Sequence, residues 1–571
     1  MSKNLFSRLV GGTAAGLVVV LSLAACGSTT GSEGPAGATN GTVTYMEAAG
    51  IYDGVDPATI YLGTELAAFR RIVYRGLTAL PITDDPNPVV LPDLATDIGT
   101  SDDGGLTWTY TIKDGVKWQD GSALTADDFL YGLKRAYDAD LSNGTGVGTV
   151  YLAQYAASVD YVGPFTSTPE QEASFAEHFF VEGNTITYKF DLPWPDFPYA
   201  AAALFTTDPY QESFDLGTQN LWKINSNGPY ILEGGEFDNN VGGTFVRNEN
   251  YDPATDSTEL RQALPDQINF EWVADNDTLF NRLVADAGDD QFAWTSTNIP
   301  ANFYSQITGA VEERTVETTS PYTRFLMINS LRLTDPDVRR ALVVATNKDG
   351  VIQAYGGDHW GTPGSTIVAA ALPGWVENPS TIGDNPAGDP AAAMELLGGQ
   401  TPPITYAFAD TPTNSAVAAV LQESWQAAGF VVTLNPIPLD ATPGYYGQVA
   451  QKEKPFDIFL AGWAADWPSL FGVIPPILYS NPADATAGVG FNYGFYSNPE
   501  VDDLIDQATS ASDPAEQISL LQEADAVAGA DGAYLPMANQ KNWFLYGSKL
   551  GGFLPDAASS YYADFGSIYA K

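Results

Sequence analysis

Residues 106–137 read LTWTYTIKDGVKWQDGSALTADDFLYGLKRAY, and this stretch decides the fold of the chain. From Leu106 to Ile112 apolar residues alternate with threonines, which is the period of a strand with one buried face. Two Asp-Gly turns follow, and Thr125 then precedes two acids as the N-cap of a helix. Apolar residues recur along that helix at helical spacing, at Phe129, Leu133 and Tyr137. The stretch therefore predicts a strand, two turns and an amphipathic helix.

Strand and helix patterns also alternate through the C-terminal half of the chain. A helix is predicted over residues 414–428, and Gly429 ends it. Strands alternating with helices indicate α/β layers joined by crossovers. Because single cores stop growing near roughly 250 to 300 residues, a chain of 571 residues is expected to form two to four domains. The segments that read as strands are 322–328, 404–408, 431–434 and 456–460.

Several of these segments together resemble the family 5 extracellular solute-binding proteins, the dipeptide- and oligopeptide-binding components of ABC importers. The resemblance begins in residues 97–133, where SDDG, KDGVKW, DGS and LTADD follow one another. It continues through DPDVRRAL at 335–342, where Asp335 is placed as an N-cap and Pro336 as the first helical residue. Further matching segments lie in the family's order at 186–193, 227–230, 246–251 and 456–467.

The resemblance implies a fold as well as a function. The expected fold is an α/β clamshell of the periplasmic-binding-protein type, with two lobes joined by a hinge and a third, inserted domain. Lobe I is expected to consist of three separated pieces of chain. The expected boundaries are 41–77, 223–318 and 532–571 for lobe I, 78–222 for the inserted domain II, and 319–531 for lobe II, which is domain III.

The N-terminus resembles a bacterial lipoprotein signal. Residues 1–25 carry a positive start and a short apolar core, and Cys26 is the only cysteine in the chain. In such signals residues 1–25 are removed and the thiol of Cys26 carries a diacylglyceryl group, with fatty acyl chains such as palmitate. Residues 26–40 are rich in Gly, Ser and Thr and predict a flexible tether. We therefore expect a lipid-anchored protein on the extracytoplasmic face of the cell membrane; an ordinary secretory signal is the alternative.

Composition excludes several functional classes. The formal charge is −45, and such a field repels nucleic acids and anionic lipid headgroups. The chain has only two histidines, His178 and His359, so it offers few candidate residues for histidine-based catalytic triads or for the common metal sites. No HExxH, G-x-S-x-G or phosphate-loop motif occurs. The sequence thus predicts a protein that is not an enzyme and needs no cofactor or metal; a surface-anchored hydrolase and an adhesive protein remain as rival classes.

The segment GWAADW at 462–467 holds the predicted ligand site. In peptide-binding members of the family its aspartate binds the α-ammonium of the ligand, which assigns that role to Asp466, with Ala465 beside it. An aspartate after a strand can otherwise be a loop cap. Trp463 and Trp467 are expected as apolar walls of a side-chain pocket or as core residues. Arg324 is expected either to meet a ligand carboxylate or to form an ion pair at the surface or between the lobes.

The length of the peptide cargo is suggested by the lack of a basic residue in the loop at 409–413. Dipeptide-selective members carry an arginine after the strand that corresponds to 404–408, whereas the loop here reads ADTPT at 409–413. Oligopeptides therefore fit better than dipeptides, held by backbone pairing and by hinge closure. We expect a monomer that binds a peptide and delivers it to the permease subunits of an ABC transporter. The same fold with an oligosaccharide or a metal chelate as cargo is the alternative.

Overall fold

The computed structural model describes residues 41–571 apart from 52–53, 61, 142–146, 378–384, 481–490 and 512, and describes no side chain at 147–150. The predicted signal peptide, the tether and Cys26 lie outside the described residues. Within them, the strands are β1 (Thr42–Glu47), β2 (Thr78–Ala79), β3 (Leu91–Pro92), β4 (Thr107–Thr111), β5 (Phe179–Glu182), β6 (Thr185–Lys189), β7 (Tyr230–Leu232), β8 (Gly242–Arg247), β9 (Gln267–Trp272), β10 (Ala293–Trp294), β11 (Thr315–Ile328), β12 (Gly361–Pro363), β13 (Pro403–Ala409), β14 (Val431–Ile437), β15 (Ile458–Ala464), β16 (Tyr534–Leu545), β17 (Leu550–Gly551) and β18 (Tyr569–Ala570).

Helices connect most of these strands. In the described part of the chain no helix is both long and apolar enough to cross a membrane. The α-helices of the described residues are α1 (Gly63–Ile72), α2 (Ala126–Ala136), α3 (Val147–Tyr155), α4 (Pro169–His178), α5 (Phe197–Ala203), α6 (Asn276–Ala285), α7 (Pro336–Ala345), α8 (Lys348–Tyr355), α9 (Pro390–Leu397), α10 (Pro412–Ala427), α11 (Tyr445–Val449), α12 (Ile474–Leu478), α13 (Pro499–Ser510) and α14 (Pro514–Ala530).

The stretch that decides the fold forms the elements its pattern predicts. Strand β4 pairs with β6 in a three-stranded sheet of order β4-β6-β5, the core of the inserted domain. The rings of Tyr110 on β4 and Phe129 on α2 are fully buried in one core cluster. The alternation along β4 and the helical spacing along α2 place both rings on the side of their element that faces the core. Helix α2 begins after Thr125, whose backbone N–H donates to the Asp128 carboxylate at 2.7 Å. This reciprocal cap fixes the start of the helix.

Lobe I is built on a five-stranded sheet. Its strand order is β10-β1-β9-β8-β7, with β1 parallel to both neighbours and β8 antiparallel to β9. Aromatic rings fill its core, and the Tyr45 ring lies 5.1 Å from the Phe270 ring between centroids. Such edge-to-face pairs add to the stability that burial provides. Because β1 is parallel to β9, its carboxyl end at Glu47 lies at the sheet edge where ligands of α/β proteins bind.

Lobe II is built on a six-stranded sheet of order β12-β16-β11-β15-β13-β14. Strands β13, β14 and β15 are parallel, whereas β11 is antiparallel to β15. The strand predicted over 456–460 begins two residues later and ends four residues later, at Ile458–Ala464. The helix predicted over 414–428 also starts two residues earlier, since the Thr411 side chain caps it and Pro412 occupies its first position.

Strands β11 and β16 form a long two-stranded ribbon that passes from lobe I to lobe II. The pairing extends from Thr315 opposite Leu545 to Met327 opposite Tyr534, with a break in register between Thr319 and Thr323. At one end Leu545 packs with lobe I core residues, and at the other Leu326 packs in the lobe II core. Both passages of the chain between the two lobes therefore run in this ribbon. The domain boundaries given above stay a prediction.

Buried ion pairs join lobe I to the inserted domain. Each joins a side chain of 41–77 to one of 78–222, and all six side chains are at least nine-tenths buried. Charged groups so deep in the protein are tolerated only when they are paired and hydrogen-bonded. The pairs are Arg70–Asp208 at 2.7 Å, Arg75–Asp93 at 2.9 Å and Arg135–Asp56 at 2.9 Å. They fix the inserted domain to lobe I.

Candidate functional site

Asp466 lies just beyond the carboxyl end of β15. Its Oδ2 atom accepts a hydrogen bond from the Tyr151 hydroxyl of α3 at 2.5 Å. Burial raises the pKa of Asp466 to about 7, and the bond from Tyr151 lowers it only in part. No positive charge of the described residues contributes to that shift. The site therefore offers a desolvated carboxylate whose natural partner is a cation.

A narrow cleft, open to solvent, adjoins this carboxylate. Ala465, Asp466 and Trp467 line it from lobe II, so the structure brings these three predicted residues together. Arg70 of α1 lines it from lobe I, but its guanidinium is already paired with Asp208 at 2.7 Å. The cleft is enclosed by lobe I, lobe II and the inserted domain together, since Ala202 and Ala203 of α5 also line it. A ligand bound here would touch all three.

Trp467 serves the contact between lobe II and the inserted domain. Only 1% of its surface is exposed, and its Nε1–H donates to Asp196 Oδ2 at 2.5 Å. Its ring packs edge-on against Tyr151, with centroids 4.6 Å apart, and lies 5.9 Å from Trp194. Trp467 is therefore mainly a core residue, although one edge lines the cleft. Burial also raises the pKa of Asp196, which makes that carboxylate a strong acceptor for the indole N–H.

Trp463 and Arg324 do not line this cleft. The Nε1–H of Trp463 donates to the Gly472 carbonyl at 2.9 Å, and its ring lies 4.3 Å from that of Phe491. Arg324 lies on β11 directly opposite Gly462 of β15. The expected ion pair of Arg324 is not found among the described residues: its Nε is buried without a hydrogen-bond partner. The roles of Trp463 and Arg324 in ligand binding stay predictions.

Sequence reasoning missed polar residues that come from distant parts of the chain. Tyr151 lies 315 residues from Asp466, and no motif marks it. Glu47, at the carboxyl end of β1, lines a separate pocket of lobe I and was also missed. It accepts hydrogen bonds from Thr295 Oγ1, Ser296 N and Thr297 Oγ1 at 2.6 to 2.9 Å, and burial raises its pKa. A carboxylate at the end of a first parallel strand is the signal that could have indicated it.

The site's chemistry is that of binding. Beside Asp466 the cleft is lined by alanines, the Trp467 indole, the Arg70 guanidinium and the Ser560 hydroxyl, and no serine or cysteine of the described lining is hydrogen-bonded to a base. Over the described residues no group of three or more histidine, cysteine or acidic side chains could hold a metal ion. What the geometry can do is desolvate a positively charged group of a ligand and bridge the lobes through it.

Comparisons with known proteins give the family. The sequence profile of bacterial extracellular solute-binding proteins, family 5 Middle, matches residues 89–485. The chain belongs to this family. A relative, the glutathione-binding protein GsiB of Salmonella typhimurium, is 26% identical over 515 residues, which are 86% of this chain and 89% of that protein. The family 5 solute-binding proteins are extracytoplasmic, non-enzymatic components of transport systems, which confirms the prediction that the chain is not an enzyme.

Solved structures of this kind share the fold. The clavulanic acid biosynthesis oligopeptide binding protein 2 superposes with a TM-score of 0.79 at 22% identity, covering 94% of this chain and 96% of that one. The binding protein DppA of Helicobacter pylori, in complex with the peptide STSA, superposes with a TM-score of 0.68 at 19% identity, covering 93% of this chain and 98% of that one. The predicted periplasmic-binding-protein fold of this family 5 solute-binding protein is thereby confirmed.

Proposed function

We propose that this protein captures peptides between its lobes and delivers them to the permease of an ABC importer. The observation that carries the proposal is the carboxylate of Asp466, buried in the inter-lobe cleft at the end of β15 with no described cation acting on it. A peptide's α-ammonium is the cation that fits it. Relatives named for glutathione binding and for a complex with the peptide STSA support this cargo class.

Binding of the ammonium would be strong because both partners leave water. A charge-assisted hydrogen bond in a desolvated site contributes more than a neutral one. The Tyr151 hydroxyl donates to one lone pair of Asp466 Oδ2. It can keep that hydrogen bond while the ammonium donates to the remaining lone pairs of the carboxylate. Micromolar affinity requires about −8 kcal/mol, which is within reach of this contact together with several backbone hydrogen bonds.

Hinge closure follows from where the two binding groups lie. Asp466 belongs to lobe II, whereas Tyr151 belongs to the inserted domain, which buried ion pairs fix to lobe I. A ligand that contacts both sides favours the closed arrangement only by the free energy of those contacts. Closure is therefore the signal that a permease can recognise.

The cargo can be tested directly on the purified protein. Mass spectrometry of the material released on denaturation should identify peptides, and calorimetry with a panel of tri- to pentapeptides should give micromolar binding. N-acetylation of a bound peptide should weaken its affinity about 10- to 100-fold, because it removes the ammonium. Release of an oligosaccharide or a metal chelate instead, with no peptide binding, would overturn the proposal.

The membrane anchor is a separate part of the proposal. We infer that Cys26 carries a diacylglyceryl group and that residues 26–40 tether the binding domain to the extracytoplasmic face of the membrane. Mass spectrometry of the N-terminal peptide from membrane-extracted protein should show the acyl chains. Cys26→Ser should abolish this modification while peptide affinity stays unchanged. An unmodified cysteine in the mature protein would refute the anchor and leave the peptide proposal intact.

A further inference from the structure

We propose that Arg324 and the tyrosines around it form a second ligand subsite, which binds a carboxylate of the peptide cargo. The inference rests on the proposed function and deepens it, because it specifies the chemistry of the cargo's other end. It assigns to one cation the role that the loop at 409–413, which lacks a basic residue, cannot fill.

Arg324 is unusual in this acidic protein. The chain has 70 acids against 25 bases, so acids are in excess everywhere. Nearly every arginine in the described residues accordingly pairs with a carboxylate, as Arg71 does with Asp564 at 2.7 Å. Arg324 forms no such pair there and no hydrogen bond, and its Nε is buried without a partner. A guanidinium left unsatisfied at such a site costs stability, which indicates that its partner arrives with a ligand.

The guanidinium is held in position by a glycine. Arg324 lies opposite Gly462, on the strand whose end carries Asp466. A Cβ atom added at Gly462 would lie 2.9 Å from Nη1 and 3.3 Å from Cδ of Arg324. The arginine side chain therefore lies flat across β15 in the space that a side chain at 462 would fill. The Arg324 side chain remains partly exposed, so a ligand can reach it.

The charge of Arg324 acts on tyrosines of three elements. They are Tyr355 of α8, Tyr406 of β13 and Tyr445 of α11; burial raises the pKa of each, and the charge of Arg324 opposes that shift. Tyr406 is fully buried and its hydroxyl has no hydrogen-bond partner. No carboxylate contributes to the pKa of Tyr355 or Tyr406. The charges of Arg324 and of Asp466 both act on Tyr322, so the acid near this subsite is the one that the ammonium of the cargo would neutralise. A planar guanidinium among phenols suits a carboxylate.

The spacing of the two subsites fits a short peptide. Gly462 and Asp466 are four residues apart along one segment, which spans at most about 13 Å in extended form. An extended peptide covers roughly 3.3 to 3.6 Å per residue. At most about four residues therefore separate an ammonium at Asp466 from a carboxylate at Arg324. That carboxylate can be the C-terminus of the peptide or an acidic side chain at the same distance.

Calorimetry with defined peptides tests the subsite. The probes are Ala-Ala-Ala and Ala-Ala-Ala-Ala as free acids and as amides, with Ala-Ala-Glu-Ala-amide and Ala-Ala-Gln-Ala-amide for the side-chain source. The variants are Arg324→Gln and Arg324→Lys. Arg247→Gln is the matched control, because Arg247 also lies on a strand without an ion pair in the described part and contacts the Leu264 carbonyl in lobe I.

If the subsite binds the C-terminus, amidation should weaken wild-type binding about 10- to 100-fold and should have no effect in Arg324→Gln. If it binds an acidic side chain, the Glu peptide should bind more tightly than the Gln peptide in wild type, and equally in Arg324→Gln. Arg324→Lys should retain part of the preference, and Arg247→Gln all of it.

Two results would count against the inference in different ways. Wild-type affinity of Arg324→Gln for every peptide, with Asp466→Asn still weakening them all, would overturn the carboxylate subsite alone. Failure of all peptides to bind wild type would overturn the proposed function, and the subsite with it. Unchanged melting temperatures of Arg324→Lys and wild type make certain that any loss of preference reflects binding rather than folding.

Discussion

Asp466 opposes folding while it serves binding. Its pKa is raised from an ordinary 3.8 to about 7, so the ionised form is disfavoured in the folded protein. The cost is present in full above about pH 7 and is relieved as the pH falls from 7 towards 4, where the folded state binds a proton before the unfolded state does. The buried charge is tolerated because function needs it.

Asp466→Asn should therefore stabilise the ligand-free protein at alkaline pH. We expect a gain of about 1 to 3 kcal/mol near pH 8 and almost none near pH 4, because protonation makes the wild-type side chain neutral as well. Urea unfolding at the two pH values measures the difference. The same variant should bind peptides about 10- to 100-fold more weakly. A loss of stability near pH 8 would show that the carboxylate is not strained by burial.

Peptide affinity should fall in acid. With a pKa of about 7, Asp466 is mostly protonated near pH 5.5 and must lose its proton to bind an ammonium. We expect affinity about 25-fold lower near pH 5.5 than near pH 7.5, with release of close to one proton per peptide in acid. Calorimetry in buffers of different ionisation enthalpy measures that proton. The groups packed around Asp466 that could share the effect are Tyr151, Tyr322 and Asp196, so Asp466→Asn, which should show no pH dependence, is the control.

Single residues show where prediction from the sequence ends. Asp466 and Ala465 could be found because a local segment, GWAADW, marks them. Tyr151 could not, because its contact with Asp466 depends on how the inserted domain packs and on no pattern near either residue. Trp467 was expected either as a pocket wall or as a core residue, and only the packing around Asp196 and Trp194 decides for the core.

Helix α2 fixes the inserted domain to lobe I through one side chain. The guanidinium of Arg135 donates to both Asp56 carboxylate oxygens at 2.9 and 3.0 Å and to Asp215 at 2.7 Å, and it lies 3.5 Å from the Tyr210 ring centroid. These contacts are buried, so their loss leaves two buried carboxylates without their cation, held only by neutral donors such as the Tyr210 and Tyr131 hydroxyls.

Arg135→Met should destabilise the protein by about 3 to 5 kcal/mol. Lys134→Met is the matched control on the same helix, because the Lys134–Glu172 pair is partly exposed and should contribute less than about 1 kcal/mol. Denaturant unfolding measures both. Equal effects of the two substitutions would contradict the view that the Arg135 network holds the interface.

Strands and helices were predictable where one sequence signal was strong. Strand β4 alternates cleanly, and α2 has both a cap and helical spacing, so both were predicted from the sequence. The strand predicted over 456–460 extends to Ala464 instead, because Gly462 and the alanines that follow Leu460 are poor strand formers that pairing with β11 nevertheless holds extended. The polar first half of β11, TVETTS, shows no buried face, and its pairing with β16 determines its conformation.

The inserted domain has two interfaces of different chemistry around the cleft. Buried ion pairs join the inserted domain to lobe I, whereas Asp466 and Trp467 of lobe II reach it through hydrogen bonds from Tyr151 and to Asp196. The inserted domain and lobe II also share an apolar cluster. No ion pair of the described residues crosses between them, and we expect this interface to open when the cargo leaves.

Trp467→Phe should accelerate peptide release. The substitution removes the bond to Asp196 and leaves that carboxylate buried without its indole donor, so the closed form loses stability relative to the open one. We expect a dissociation rate about tenfold higher with an unchanged association rate, measured by stopped-flow fluorescence. Asp196→Asn keeps an acceptor for the indole N–H and should differ from wild type by less than about threefold. A slower association rate with unchanged dissociation would contradict this account.

The break in register leaves residues 320–322 of β11 unpaired with β16, and we expect the hinge to lie there. Both passages of the chain between the lobes run through that point. Every peptide therefore leaves after the same opening of the lobes, whatever its side chains. Dissociation of weakly held peptides should therefore converge on one ceiling rate, set by the backbone and independent of composition. Tightly and weakly bound peptides would then differ in how often an opening of the lobes releases them, and not in how fast the lobes open.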